Sequence, residues 1–402
     1  MAVTRTISAE NVAHTQLAEN FPVLDTMRAV GALAVLTTHA AFWAGAYERN
    51  GAWGSFLARL DVGVAVFFVL SGFLLSRPWL ARSRAGLPGP AVGRYFWKRF
   101  LRIVPAYVVV AVLCLALITS NEDLGPADWA IALTMTDIYV SGPLPYGLTQ
   151  IWSLATEVAF YVVLPLLMLA VVAGRRLPAW RILTLLVAMV VLNVAWLLWL
   201  SAEVPVGGGH VNEWLPAFLT WFGAGIGLAT LQVAPERGGR VPRLVRELAV
   251  SPGVCWTIAL GLLLVAGTSV AGPKLLLPAT EFEALTKNLL YAAVGTLVVL
   301  PGIFAAPGGR YSRVMGHPAL RHLGHVSYGV FLVHMGVLHF VMWVTDYPLF
   351  GGNMLQIWLL TLALSVIAAE ALYRVVELPA MRLRGLRLPA RSTTKDTANA
   401  TR

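Results

Sequence analysis

Long apolar runs constrain this chain more than any other feature. A helix that crosses a bilayer needs about 20 predominantly apolar residues. Ten windows reach that length, at 24–44, 61–81, 103–120, 149–173, 180–201, 214–231, 252–271, 286–306, 322–345 and 354–377. Only 12% of the residues are charged, about half the share usual in soluble domains. The expected fold is therefore all-α, a polytopic transmembrane helix bundle of about ten spans. Residues 1–20 are polar and lack the apolar core of a signal peptide, so no cleavable leader is expected. They are assigned as a cytoplasmic N-terminal segment, 21–385 as the transmembrane domain, and the polar stretch 386–402 as a disordered cytoplasmic tail. Cys114 and Cys255 both fall inside apolar runs and read as small packing residues rather than a disulfide.

Charge placement sets the expected orientation. With ten alternating spans, 26 of the 30 Lys and Arg residues fall on one side of the membrane. They include the segment from Arg77 to Arg102, the pair Arg175 and Arg176, the run Arg237 to Arg246, and the C-terminal arginines. Arg49, Arg59, Lys274 and Lys287 fall on the other side, together with acids such as Asp128, Asp137, Glu203 and Glu213. By the positive-inside rule both termini are cytoplasmic. The net charge of +10 is then mostly topological, which argues against nucleic acid as a partner.

Ionisable side chains inside the spans are costly and tend to face a protein interior or a wet cavity. Arg28 and His39 are eleven residues apart, about three helical turns, so they share one face some 16 Å apart along the axis. Taken singly, Arg28 reads as a snorkelling anchor and His39 as a packing histidine; the shared face argues for more. Counted from the outer end of its span, Glu157 lies at a depth similar to His39, which allows a His–Glu pair. Arg99 and Arg102, spaced i, i+3, share one side of a helix. With Arg28 they form a guanidinium set suited to phosphate, the ordinary alternative being positive-inside charge against lipid headgroups. His334 sits deep in the ninth span, with Ser327 and Tyr328 nearer its start. Glu370, Arg374 and Glu377 read as a structural ladder plus an end charge. No phosphate-binding Walker loop, metal-ligand spacing or nucleophile elbow occurs, so neither ATP nor a metal is expected.

Five motifs in order resemble the membrane acyltransferase 3 family: "LDTMRAVGALAVLTTHA" (24–40), "FFVLSGFLLSRPW" (67–79), "FWKRFLRIVPAY" (96–107), "IWSLATEVAFYVVLPLL" (151–167) and "LGHVSYGVFLVHMGVL" (323–338). "VVELPAMRL" (375–383) is similar to the usual end of the domain. The chain departs from the family pattern at Ala65, where many members carry an acid; Asp61 lies one turn earlier. The SGNH esterase-like domain of some members has no counterpart here, so any second, extracytoplasmic transfer step would need another protein.

The resemblance implies an integral O-acyltransferase of the bacterial cytoplasmic membrane. It would move an acyl group, often acetyl, from acyl-CoA to a hydroxyl of a carbohydrate such as a cell-envelope glycolipid or a glycosylated macrolide. It implies His39 in catalysis and Arg28, Arg99 and Arg102 in donor handling. Glu157 is expected beside His39, with His334, Ser71 and Tyr328 as further candidates. The expected partners are acyl-CoA, the carbohydrate acceptor and membrane lipids. Two rivals stand against this reading. A proton-coupled transporter would use the same intramembrane charges, although no repeat of two halves is evident. An acyl-polyprenol donor would leave the arginines as lipid anchors.

Overall fold

The structure is a computed structural model that describes residues 20–385 except 141, 173–178, 205–208, 236–238, 275–276 and 307. The proposed N-terminal segment up to residue 19, the tail 386–402, and Arg175, Arg176 and Arg237 lie outside the described residues.

Among the described residues the chain is helical with no strand. The long helices are α1 (Pro22–Trp43), α2 (Gly63–Arg84), α3 (Val92–Leu117), α4 (Ile151–Val172), α5 (Ala179–Leu198) and α6 (Leu219–Val233). They continue with α7 (Arg240–Ala249), α8 (Pro252–Ala266), α9 (Glu281–Phe304), α10 (Pro318–Thr345) and α11 (Met354–Leu372). Eight of the described helical stretches are long and apolar enough to cross a membrane. A ninth is added if α7 and α8, bent by 91° at their junction, count together. Helix α1 has 22 residues but carries Asp25, Arg28 and His39, and it is not among those eight. It is nonetheless central, packing along α10 and crossing α2 and α11. This is an integral, multi-pass helical membrane protein.

Local chemistry sets the helix starts. Pro22, Pro252 and Pro318 open α1, α8 and α10, where proline's missing N–H costs nothing and its fixed φ suits the first turn. Helix α9 begins with a capping box: Glu283 N–H donates to Thr280 Oγ1 at 3.3 Å, and Thr280 N–H donates to Glu283 Oε2 at 2.8 Å. Helix α7 is amphipathic and basic, and turns sharply into α8, the arrangement of a helix lying along a membrane surface.

Helix α2 is the most buried of the long apolar helices and α5 the least. Helices α2 and α6 approach closely through glycine: a Cβ on Gly72 would stand 2.2 Å from Phe222 O, and one on Gly225 2.2 Å from Val69 O. A stack of Phe160, Phe222 and Phe68, with centroids 4.0 and 4.4 Å apart, ties α4 to this pair. Ala65 is fully buried and faces Gly295 of α9. Asp61 points elsewhere, ion-paired with Lys287 at 2.7 Å and hydrogen-bonded by the Tyr291 hydroxyl. Cys114 and Cys255 are free and buried.

Candidate active site

One end of the bundle opens into a cavity of about 520 Å³, within the usual size of a small-molecule site. Arg28 of α1, Ser71 of α2, Arg99 and Arg102 of α3, Glu157 of α4 and Tyr328 of α10 all line it. Six candidates chosen from the sequence thus come from five helices to one space. Lys98, His325 and Arg384 add to the basic character of its mouth.

The arginines are held in different ways. Arg28 Nη1 donates to Asp25 Oδ1 at 2.8 Å, and Asp25 Oδ2 also faces Arg321 and His325, each at 3.5 Å. Arg102 Nη1 donates to Glu377 Oε2 at 2.7 Å and lies over the Tyr328 ring, 5.5 Å from its centroid. The Tyr328 hydroxyl in turn donates to Ile103 O at 2.9 Å. Arg99 lies 5.9 Å from the Tyr161 ring centroid, and among the described residues it has no carboxylate within ion-pair distance. Such a set can bind a polyphosphate by forked, charge-assisted hydrogen bonds.

Glu157 corrects one expectation. It does not meet His39. Its carboxylate accepts a hydrogen bond from Ser71 and interacts with the Tyr161 hydroxyl, in the same cavity as Arg28 and Arg99. The depth count failed because α4 does not start at the outer surface. The connection before it folds into the bundle, and Gln150, just ahead of α4, donates to Leu332 O in the middle of α10 at 2.9 Å. Seven residues further along, Glu157 reaches the level of the arginines rather than that of His39.

The partner of His39 is His334. Their Nδ1 and Nε2 atoms are 2.9 Å apart, and the two rings lie edge to edge and nearly coplanar, with centroids 5.1 Å apart and planes 17° apart. Neither lines the cavity, but Phe331 does, and its ring packs on His334 at 5.9 Å. The histidine pair therefore lies just beyond the inner end of the cavity. One turn further along α1, Trp43 packs edge-on against His339 at 4.5 Å, and His339 against Tyr146 at 5.6 Å.

Sequence reasoning missed Glu377, Tyr161 and Asp25 as parts of the site. Glu370 and Arg374 do form the expected ladder, at 2.5 Å, and Glu370 also meets His322 at 2.8 Å. Glu377 instead turns inward to Arg102 because Tyr373–Glu377 winds as a π-helix, which shifts the helix face. No residue-type pattern announces that turn. Tyr161 and Asp25 were legible in principle, as polar residues one turn from Glu157 and Arg28. Among the described residues, no three His, Cys, Asp or Glu side chains converge as a metal site would need.

A family model described as an acyltransferase domain, of the acyltransferase 3 type, matches residues 21–374. Peptidoglycan O-acetyltransferase OatA of Listeria monocytogenes is 25% identical over 379 residues, covering 89% of this chain and 55% of its own. Nodulation protein 10 of Rhizobium leguminosarum is 27% identical over 392 residues, covering 90% of this chain and 93% of its own. Acyltransferase MdmB of Streptomyces mycarofaciens is 27% identical over 407 residues, covering 92% and 93%. The chain thus spans about half the length of the Listeria relative and nearly all of the other two. No solved structure matches this chain significantly.

Proposed function

The chain belongs to the acyltransferase 3 family, and on that premise we propose that it moves an acyl group, most simply acetyl, from acyl-CoA to a sugar hydroxyl. The acceptor class is a cell-envelope glycan or glycolipid, or a glycosylated macrolide. Its setting is the bacterial cytoplasmic membrane, with both termini and the basic mouth of the cavity on the cytoplasmic side. Acetyl as the acyl group draws support from the name of the Listeria relative.

One observation carries this reading. Arg28, Arg99 and Arg102 line a single cavity whose inner end, at Phe331, abuts the His39–His334 pair. A donor with phosphates at one end of a long arm and a thioester at the other fits that layout. The CoA phosphates lie among the guanidinium groups, and the pantetheine arm runs inward past Ser71 and Glu157. Ser71 and Tyr161 hold the Glu157 carboxyl in place along that path. His39 takes the proton of the acceptor hydroxyl as that oxygen bonds to the thioester carbonyl carbon. The carbon–sulfur bond breaks, and the CoA sulfur leaves with the proton from His39. The products are the sugar ester and CoA.

The test is label transfer from [14C]acetyl-CoA to the carbohydrate fraction of membranes carrying the protein. Transfer that excess free CoA suppresses is expected. Transfer indifferent to free CoA would assign the donor role to another acyl carrier. Solute flux through proteoliposomes without any transfer would make the protein a transporter. Removing a general base costs about 10²–10⁴-fold, so His39→Ala should lower turnover by that factor while CoA binding persists.

A further inference from the structure

We propose that His334 is a positioning residue that fixes the tautomer of His39, so that Nε2 of His39 is the atom that takes the proton. The inference deepens the acyltransferase reading and rests on it for its catalytic meaning, but the hydrogen-bond geometry stands independently.

Nδ1 of His334 lies 2.7 Å from Phe331 O and 3.2 Å from Val330 O. Carbonyl oxygens only accept, so this nitrogen carries the hydrogen. In a neutral imidazole the other nitrogen is then bare, and Nε2 of His334 must accept. Its partner at 2.9 Å is Nδ1 of His39, which must therefore donate. That leaves Nε2 of His39 as the unprotonated nitrogen of the pair. Helix geometry makes the arrangement rigid, because the anchoring carbonyls lie three and four residues before His334 in α10. The two rings are nearly coplanar, with planes 17° apart, so the Nδ1–H bond of His39 points in the ring plane at the Nε2 lone pair of His334.

Burial divides the labour in the same way. His334 is 1% exposed and cannot touch a substrate, whereas His39 keeps accessible surface. When His39 takes up a proton, the charge is shared along Nδ1–H toward the lone pair of His334, with no second proton moved. A hydrogen bond to a charged group is worth about 10- to 100-fold in an equilibrium or rate. The pair thus resembles in logic any base held by a second group that selects its ring nitrogen. Here that second group is a neutral histidine anchored on main-chain carbonyls rather than a carboxylate.

Two measurements test this. The first needs no substrate: 15N spectra of histidine-labelled protein in bilayers, with His39 assigned by the signal lost in His39→Gln. Protonated Nδ1 and bare Nε2 on His39 are expected in the wild type; the opposite tautomer overturns the proposal. The second is kinetic, using [14C]acetyl-CoA and host membrane carbohydrate. His334→Phe keeps a ring without an acceptor, and should lower kcat about 10- to 100-fold with KM for acetyl-CoA unchanged. His334→Gln can place Oε1 where Nε2 stood and should recover most of that loss. Full kcat in His334→Phe, or no difference between the two variants, sinks the positioning role. A wild type that transfers no acyl group defeats the acyltransferase reading instead, and leaves the tautomer spectrum to decide this one.

Discussion

At the residue scale, the three arginines of the cavity are not equivalent. Arg28 and Arg102 each already face a carboxylate, Asp25 and Glu377, at 2.8 and 2.7 Å. A ligand phosphate must share them with those anions. Arg99 rests against the Tyr161 ring and, among the described residues, has no such competitor. Of the three, it is therefore the one that would gain most from a phosphate placed in the cavity. Arg99→Ala is expected to weaken CoA binding about 10- to 100-fold, the range for a lost hydrogen bond to a charged group. Calorimetric titration of the detergent-solubilised protein with CoA measures it, and an unchanged Kd would remove Arg99 from the donor site. That Arg99 and Arg102 share one side of a helix was readable from their spacing, because helical periodicity is local. Glu377 was not, since a single π-turn changed the face it presents.

At the scale of elements, close backbone approach holds the centre together. Helices α2 and α6 meet where a Cβ on Gly225 would collide with Val69 O at 2.2 Å, an atom that cannot move without bending α2. Gly225→Ala is expected to destabilise the protein by about 1–3 kcal/mol, the usual cost of overpacking. Gly253→Ala, at the start of α8, has nothing within 4 Å of the added atom and serves as the contrast. Thermal unfolding in detergent should separate the two; equal midpoints would mean that α2 and α6 do not pack as described. The span windows matched the helices to within a few residues at most ends, because length and apolarity suffice to mark a membrane helix. The largest offset is α3, which begins at Val92 rather than at the expected 103, so Arg99 and Arg102 lie within the helix.

At the scale of the whole molecule, two connections close the end opposite the cavity mouth. Main-chain N–H of His210 and Nε1 of Trp214 both donate to Ile138 O at 2.8 Å. Glu213 O accepts from Thr156 near the start of α4. Burial pushes the Glu213 carboxyl up to about 7, with His210 at 3.9 Å pulling the other way. The unfolded chain loses that proton near pH 4.3. Between about pH 4.3 and 7 the folded state thus holds a proton that the unfolded state has shed, and stability falls as pH rises. Glu213→Gln has no proton to lose there. Its midpoint advantage over the wild type should grow from pH 4.5 to 7 and level off above, as thermal scans across that range will read. A constant difference would show that the carboxyl is not held in its neutral form. Burial also raises Asp137 in the same connection, but it is present in both proteins and cancels from the comparison.

A membrane-spanning helical protein, an arginine and a histidine on one face of α1, and the family its motifs resemble could all be read before any fold was known. Each of those rests on local quantities: apolar run length, residue spacing and short motif order. Which side chains meet depends instead on how the helices pack. His39 faces His334 and not Glu157 because α4 begins inside the bundle, anchored through Gln150 on Leu332 O. Relative depth between two helices depends on how the segment joining them folds, and no periodicity within either helix encodes that.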